Sequence, residues 1–266
     1  MDKQLPAFTG TIPCNYDKYM GPLFFEPYAI DLTSRIKNRS VKKVLEIACG
    51  TGRVTKQLRM VLPVDAVLVA TDLHAGMLMV AQQNLANENI EFREADAQSL
   101  PFEDNSFDLV VCQFGFMFMP DKAKAFGEAY RVLTKGGHLL FNTWDKLENN
   151  EASFIVRNVV AENLGSAAFY SIPFSMYSKA EIESLLSSAG FKNVNVSLVT
   201  KQGTGVTALD AAKGLLLGTP AYKQIAEANK ISPEQLVSIS QKKLEAVYGT
   251  GIITTELNAW VSEAEK

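Results

Sequence analysis

The run Val44-Leu45-Glu46-Ile47-Ala48-Cys49-Gly50-Thr51-Gly52-Arg53 constrains this chain more than any other stretch. An apolar segment that reads as a buried strand stops at a turn of small residues, and a helix-like segment, Val54 to Leu62, begins at once. Such a junction belongs at the edge of an α/β sheet, where glycine lets a ligand approach backbone that Cβ atoms would otherwise screen. Free amides at the start of the new helix then favour an anionic group. The next apolar run, Val67-Leu68-Val69-Ala70-Thr71, ends on Asp72, twenty residues beyond Gly52. A carboxylate at that distance suits a ribose, because it can accept from both hydroxyls. Strand, turn, helix and acid together predict a site for a nucleoside-containing cofactor.

Spacing argues against a dinucleotide. The fingerprint G-x-G-x-x-G requires a third glycine, and counting from Gly50 that position is Thr55. Here the glycines sit late after an acid, in the pattern E-x-A-x-G-x-G from Glu46 to Gly52. This resembles the first motif of the class I S-adenosylmethionine-dependent methyltransferases, E/D-x-G-x-G-x-G, with Ala48 at the first glycine. The resemblance implies that Ala48, Gly50, Thr51 and Gly52 approach the methionine moiety, while Glu46 anchors the turn or meets the cofactor's amino group. Ile90 to Ala97 then reads as a third strand ending on Asp96, which in that family accepts from the adenine amine, with Ala97 beside it. Leu109 to Gln113 is β-rich like a central parallel strand, and Gln113 and Phe114 at its end complete the expected cofactor contacts. Leu73 and Met77 are placed against the adenine faces, with a core role for Met77 and an N-cap role for Asp72 as alternatives. Ala129 to Leu133 with Lys135-Gly136-Gly137 resembles the helix, turn and start of strand five in the methyltransferase type 11 subfamily.

Strand and helix signals alternate from residue 42 to about 145. They predict a doubly wound, mostly parallel sheet with helices on both faces, seven-stranded and Rossmann-like by the resemblance. Beyond strand five (His138 to Trp144), Ser153 to Leu164 and Ser178 to Ala189 read as helices and Phe191 to Val199 as a strand. Thr207 to Tyr248 reads as helical and Ile252 to Trp260 as the last strand, which the resemblance pairs antiparallel with its predecessor at the sheet edge. The expected division is a helical lid or cap over 1–40, a cofactor-binding domain over 41–200 and 249–266, and a helical insertion over 201–248. In similar methyltransferases a lid tyrosine reaches the methionine carboxylate; Tyr19 is the first candidate and Tyr16 the second. The insertion carries no cofactor motif and is expected to serve substrate choice or dimer contacts, which leaves monomer and homodimer both open.

Composition narrows the partners. No apolar run approaches the ~20 residues that span a bilayer, and Met1 to Pro6 lack a secretory pattern. A cytoplasmic address and no membrane partner are expected. Cys14, Cys49 and Cys112 lack metal-site spacing and are expected to be reduced, with no metal bound. A net charge of -3 without a basic cluster argues against nucleic acid. The histidines, His74 and His138, are not placed as a general base, and Gln113-Phe114-Gly115-Phe116 stands where an amine-methylating [DN]-P-P-[YF] would be. Alignment alone can supply ~7–11 kcal/mol of catalysis. Phe114, Phe116, Met117, Phe118, Phe169, Tyr170, Phe174, Met176 and Tyr177 offer either core or the wall of an apolar acceptor cavity. The expected activity is O-, C- or alkyl-N-methylation of a small, partly apolar acceptor. A non-catalytic binder of S-adenosylmethionine or S-adenosylhomocysteine and a dinucleotide-dependent oxidoreductase are the alternatives.

Overall fold

The computed structural model describes residues 8–36 and 41–266. The leader reading of Met1 to Pro6 and parts of the cap assigned to 1–40 lie outside the described residues. The chain begins with a short helix α1 (Ile12–Asn15), a π-helical stretch (Tyr16–Phe25) and α2 (Glu26–Ser34). Pro22 inside the stretch has no amide proton for an ordinary helical bond. The wider turn ends with the Glu26 amide donating to the Gly21 carbonyl, five residues back. Leu23 and Tyr28 are fully buried, and the Tyr28 hydroxyl lies 2.8 Å from both the Val199 and Leu257 carbonyls. This N-terminal segment is thus built into the core.

Then follow β1 (Lys43–Ile47), α3 (Arg53–Val61), β2 (Val67–Asp72), α4 (Ala75–Asn84), β3 (Glu91–Glu94) and β4 (Phe107–Gln113). The second half runs α5 (Lys122–Val132), β5 (Leu133–Trp144), α6 (Glu151–Leu164), α7 (Lys179–Ser188) and β6 (Lys192–Gly203). Three helices, α8 (Ala208–Leu217), α9 (Ala221–Ala228) and α10 (Pro233–Tyr248), precede β7 (Thr255–Glu265). The sheet order is β3-β2-β1-β4-β5-β7-β6, with the first five strands parallel and β7 antiparallel to both β5 and β6. Strand order reverses between β1 and β4, so right-handed crossovers place α3 and α4 on one face and α5 on the other. The doubly wound seven-stranded sheet with its antiparallel edge pair is therefore as expected.

Several boundaries differ. Asp96 lies two residues past the end of β3. The edge strands are longer than alternation suggested: β6 continues to Gly203, past the expected boundary at 200/201, and β7 runs Thr255–Glu265 instead of stopping at Trp260. Their mutual pairing over Asn195 to Gly203 supplies bonds that local propensity does not register. Ile252 makes only an isolated bridge to Thr207. The helical stretch from Thr207 divides at Gly218–Pro220 and again before Pro233, where Ser232 and Gln235 form a reciprocal capping box. Among the described residues no helix is long and apolar enough to cross a membrane.

Candidate functional site

The turn after β1 is a run of left-handed backbone: φ is +54° at Ala48, +57° at Gly50 and +89° at Gly52. The two glycines are needed for different reasons. A Cβ on Gly52 would press on Leu85 at 3.1 Å and Ala81 at 3.3 Å, so this glycine lets α3 and α4 approach. A Cβ on Gly50 would meet nothing within 4 Å and would project into open space. Its absence leaves a cradle for a ligand. The amides are less free than expected: Cys49 donates to the Thr71 carbonyl at 2.8 Å and Gly50 to Asp72 Oδ2 at 2.9 Å. The other Asp72 oxygen accepts the His74 amide at 2.9 Å. Asp72 therefore braces the turn and the start of the next loop. It does not cap α4, whose N-cap is His74. Burial raises its pKa, against the pull of those amides.

A cleft of about 720 Å³ opens beside this turn at the C-terminal ends of β1, β2 and β4. Ala48, Gly50, Asp72, Leu73, Met77, Asp96, Ala97, Gln113 and Phe114 of the expected set all line it. Asp96 accepts the Gln98 backbone amide at 2.8 Å and lines the cleft. Gln113 donates to the Phe25 carbonyl at 3.1 Å, while its Oε1 is buried without a partner. A second compartment of about 310 Å³ shares Tyr16, Ala48, Gly50 and Gln113 and adds Glu46, Thr51 and Arg53. Glu46 is 1% exposed, and its Oε2 lacks a partner. Burial pushes the Glu46 carboxyl up to about 8; Thr55 beside it pulls the other way, and the Asp72 charge adds to the rise. Orphaned acceptors, buried carboxylates and an open glycine cradle fit a ligand that brings hydroxyl and ammonium donors. Burial also raises the Cys49 and Cys112 thiols, the latter to about 12, which leaves neither nucleophilic near neutrality.

The two lid tyrosines exchange places. Tyr16 lines both compartments and stacks on Phe25 at 4.7 Å between ring centroids. Tyr19 lines neither; Lys18 and Lys213 lie against its ring, 5.0 and 5.7 Å from the centroid. The segment is latched to the glycine turn through Asp17, which accepts from Thr51 Oγ1 at 2.8 Å and Arg53 Nε at 3.0 Å. From the other side α8 packs on it so closely that a Cβ on Gly218 would sit 3.0 Å from the Tyr16 amide. The insertion thus supports the wall of the cleft, although none of its residues lines it.

The apolar set splits by location. Phe116 stacks on Phe126 at 4.2 Å as core, and Met117 and Met176 are buried beside it in the same cluster. Phe118 lines the cleft, and Tyr177 is exposed. Phe169, Tyr170 and Phe174 line a separate cavity of about 460 Å³ with Met20, Trp144, Asn150, Ser153, Leu215 and Thr219. Between cleft and cavity stands a thin wall, Phe114 stacked on Trp144 at 3.7 Å and 6°, with Phe25 alongside. Phe114 has a φ of +51°, a strained setting for a bulky residue, and its amide is held by Asn142 Oδ1 at 3.0 Å. Sequence reasoning missed Phe8, Ile47, Ala95, Gly115 and Met119 in the cleft. Ala95 and Gly115 were within reach, since they adjoin predicted contacts at strand ends; Phe8 carries no local signal.

Comparison with known proteins bears on the family and the fold. The type 11 methyltransferase-domain family model matches residues 45–141. The ubiquinone/menaquinone biosynthesis C-methyltransferase UbiE of Cronobacter sakazakii is 32% identical over 173 residues, covering 59% of this chain and 69% of that protein. The protein of the same name from Pseudoalteromonas translucida is 28% identical over 209 residues, 71% of this chain and 83% of its own length. Among solved structures, Haemonchus contortus phosphoethanolamine N-methyltransferase 2 with S-adenosyl-L-methionine superposes with a TM-score of 0.61 at 19% identity, covering 97% of this chain and 57% of that one. The Bacillus subtilis YcgJ protein gives 0.56 at 18% identity over 90% and 98% of the two chains.

Proposed function

The chain belongs to the class I S-adenosylmethionine-dependent methyltransferases of the type 11 kind, and from that premise we propose that it methylates a small, partly apolar acceptor, releasing S-adenosylhomocysteine and using no metal. S-adenosylmethionine, when bound, supplies an electrophilic methyl carbon on a sulfonium. The residues of the cleft suit its parts. Asp72, which lines the cleft, would meet the ribose hydroxyls, Asp96 and Ala97 the adenine amine, and Leu73 and Met77 its faces. Ala48, Gly50 and Thr51 would frame the amino-acid end, with Gly52 behind them packing on α4, Glu46 as the anion for the ammonium and Tyr16, in place of Tyr19, for the carboxylate side.

The observation that carries the acceptor reading is the cavity behind Trp144. It lies one aromatic layer from the cleft, and its lining includes no carboxylate, histidine or lysine. Two of its three hydroxyls are already committed: Tyr170 donates to the Leu215 carbonyl at 2.9 Å and Thr219 to the same carbonyl at 3.0 Å, which leaves Ser153 as the remaining hydroxyl of the lining. With no base in reach, this chain's contribution is to seat the acceptor, exclude water and hold the line of attack, which suits an acceptor carbon, oxygen or amine that is already nucleophilic. The test is transfer of labelled methyl from S-adenosylmethionine to a panel of apolar phenols, enolisable carbonyl compounds and alkylamines, alongside calorimetry with S-adenosylhomocysteine and NAD. Tight S-adenosylhomocysteine binding with methyl transfer to a member of the panel supports the proposal. Binding without transfer to any of them favours a non-catalytic binder, and preferential NAD binding would sink the cofactor assignment.

A further inference from the structure

The cavity behind Trp144 has a neighbour on its outer side. An open groove of about 1440 Å³ is lined by Lys146, Glu148, Arg157, Ser171, Phe174 and Tyr177 among others. Phe174 belongs to both linings and is 9% exposed, so a single ring separates the apolar interior from the groove. The charged residues of the groove are Lys146, Arg157 and Glu148, a surplus of one positive charge. Arg157 donates to the Asn158 side-chain oxygen at 3.1 Å, and Lys146 rests over the Tyr177 ring at 5.6 Å. Neither cation has a carboxylate within ion-pair distance among the described residues. Inside, by contrast, there is no charge to meet a charged substituent. The Asn150 amide is spent on the Lys146 and Asn258 carbonyls at 3.2 and 3.1 Å. An ionic group buried there would go uncompensated, whereas an apolar body would be welcome.

We propose that the acceptor is an amphipathic anion, with an aromatic or alkyl body behind Trp144 and an anionic group of the carboxylate kind held at Lys146 and Arg157, Phe174 lying between the two. This rests on the acceptor site proposed above and gives it a substrate class. The two cations fix the molecule by its far end. The body is then oriented toward the Phe114–Trp144 wall without any charged contact in the cavity itself.

The test uses full-length protein saturated with S-adenosylhomocysteine and two probes of matched shape, 4-phenylbutyrate and its neutral amide. Trp144 lines the cavity and is one of only two tryptophans in the chain, so fluorescence titration reads occupancy directly, with Trp144→Phe as the control that removes the signal. The acid should bind about tenfold tighter than the amide. The double substitution Lys146→Gln with Arg157→Gln should erase that preference while S-adenosylhomocysteine affinity, measured by calorimetry, stays the same. Equal binding of acid and amide, a preference that survives the double substitution, or no binding of either probe would each overturn the proposal. Failure of the wild-type protein to bind S-adenosylhomocysteine would instead strike the cofactor assignment, so the two failures are distinguishable.

Discussion

Replacing Glu46 with glutamine should stabilise the free protein and weaken its grip on the cofactor together. The carboxyl rises from an ordinary 4.5 to about 8 because it is fully buried with one oxygen unpartnered. At about pH 7 keeping it protonated costs the fold roughly 3 kcal/mol relative to a group that does not titrate. The folded value lies above the unfolded one, so stability with respect to this group is greatest below 4.5, falls as pH rises, and levels off above about 8. Glu46→Gln should therefore match the wild type near pH 4.5 and exceed it increasingly toward about pH 8. Allowing for imperfect packing, the gain there should be about 1–3 kcal/mol, or about 2–4 °C in Tm for each kcal/mol in a chain of this size. The same substitution removes the carboxyl that would ionise against the cofactor's ammonium on binding, and S-adenosylhomocysteine affinity should fall by about 1.5–3 kcal/mol. Paired thermal denaturation at the two ends of that pH range, with calorimetry on each protein, reads both effects. A variant less stable than wild type at the alkaline end, or a stability gap that does not change with pH, would refute the reasoning.

Four further outcomes are expected. Asp72→Asn leaves one side-chain acceptor for the Gly50 and His74 amides instead of two, and should weaken S-adenosylhomocysteine binding by about 1–3 kcal/mol in calorimetry; unchanged affinity would show that Asp72 only braces the turn. Ala48→Gly relieves a φ of +54° and should add up to about 1 kcal/mol in urea denaturation. Gly115→Ala should destabilise, because its Cβ would fall 2.7 Å from the Ala48 methyl and 2.6 Å from Cys112 Sγ; adding Ala48→Gly should recover part of that loss, and strict additivity would be evidence against the contact. Gly218→Ala should press α8 off the Tyr16 backbone, 3.0 Å from the new Cβ, and lower S-adenosylhomocysteine affinity from outside the cleft; normal affinity in a folded variant would break that link.

The cofactor half of this protein was legible because its information is local. A strand, a turn of small residues and a helix occupy a few consecutive positions from Val44 to Val61, and Asp72, Asp96 and Gln113 follow at or just past the ends of apolar runs. In a parallel sheet such ends fall on one edge, so their convergence follows from the alternation alone. The family resemblance implied the antiparallel edge pair, though not its length. What each glycine does was not legible: Gly50 leaves a cradle and Gly52 admits α4, a difference that depends on what stands opposite. Nor could the pattern separate Tyr16 from Tyr19, which lie three residues apart and would share a face of an ordinary helix. A π-helical turn, Phe25 and the close approach of α8 turn Tyr16 into the cleft and leave Tyr19 outside it. The apolar residues after β4 and α6 look alike in sequence, yet they become core, cleft wall, acceptor cavity and surface. Periodicity and spacing are properties of neighbours along the chain, and they determined the sheet and its cofactor edge; which side chains face a cavity is a property of neighbours in space, and only the packing of the N-terminal segment and the inserted helices decided it.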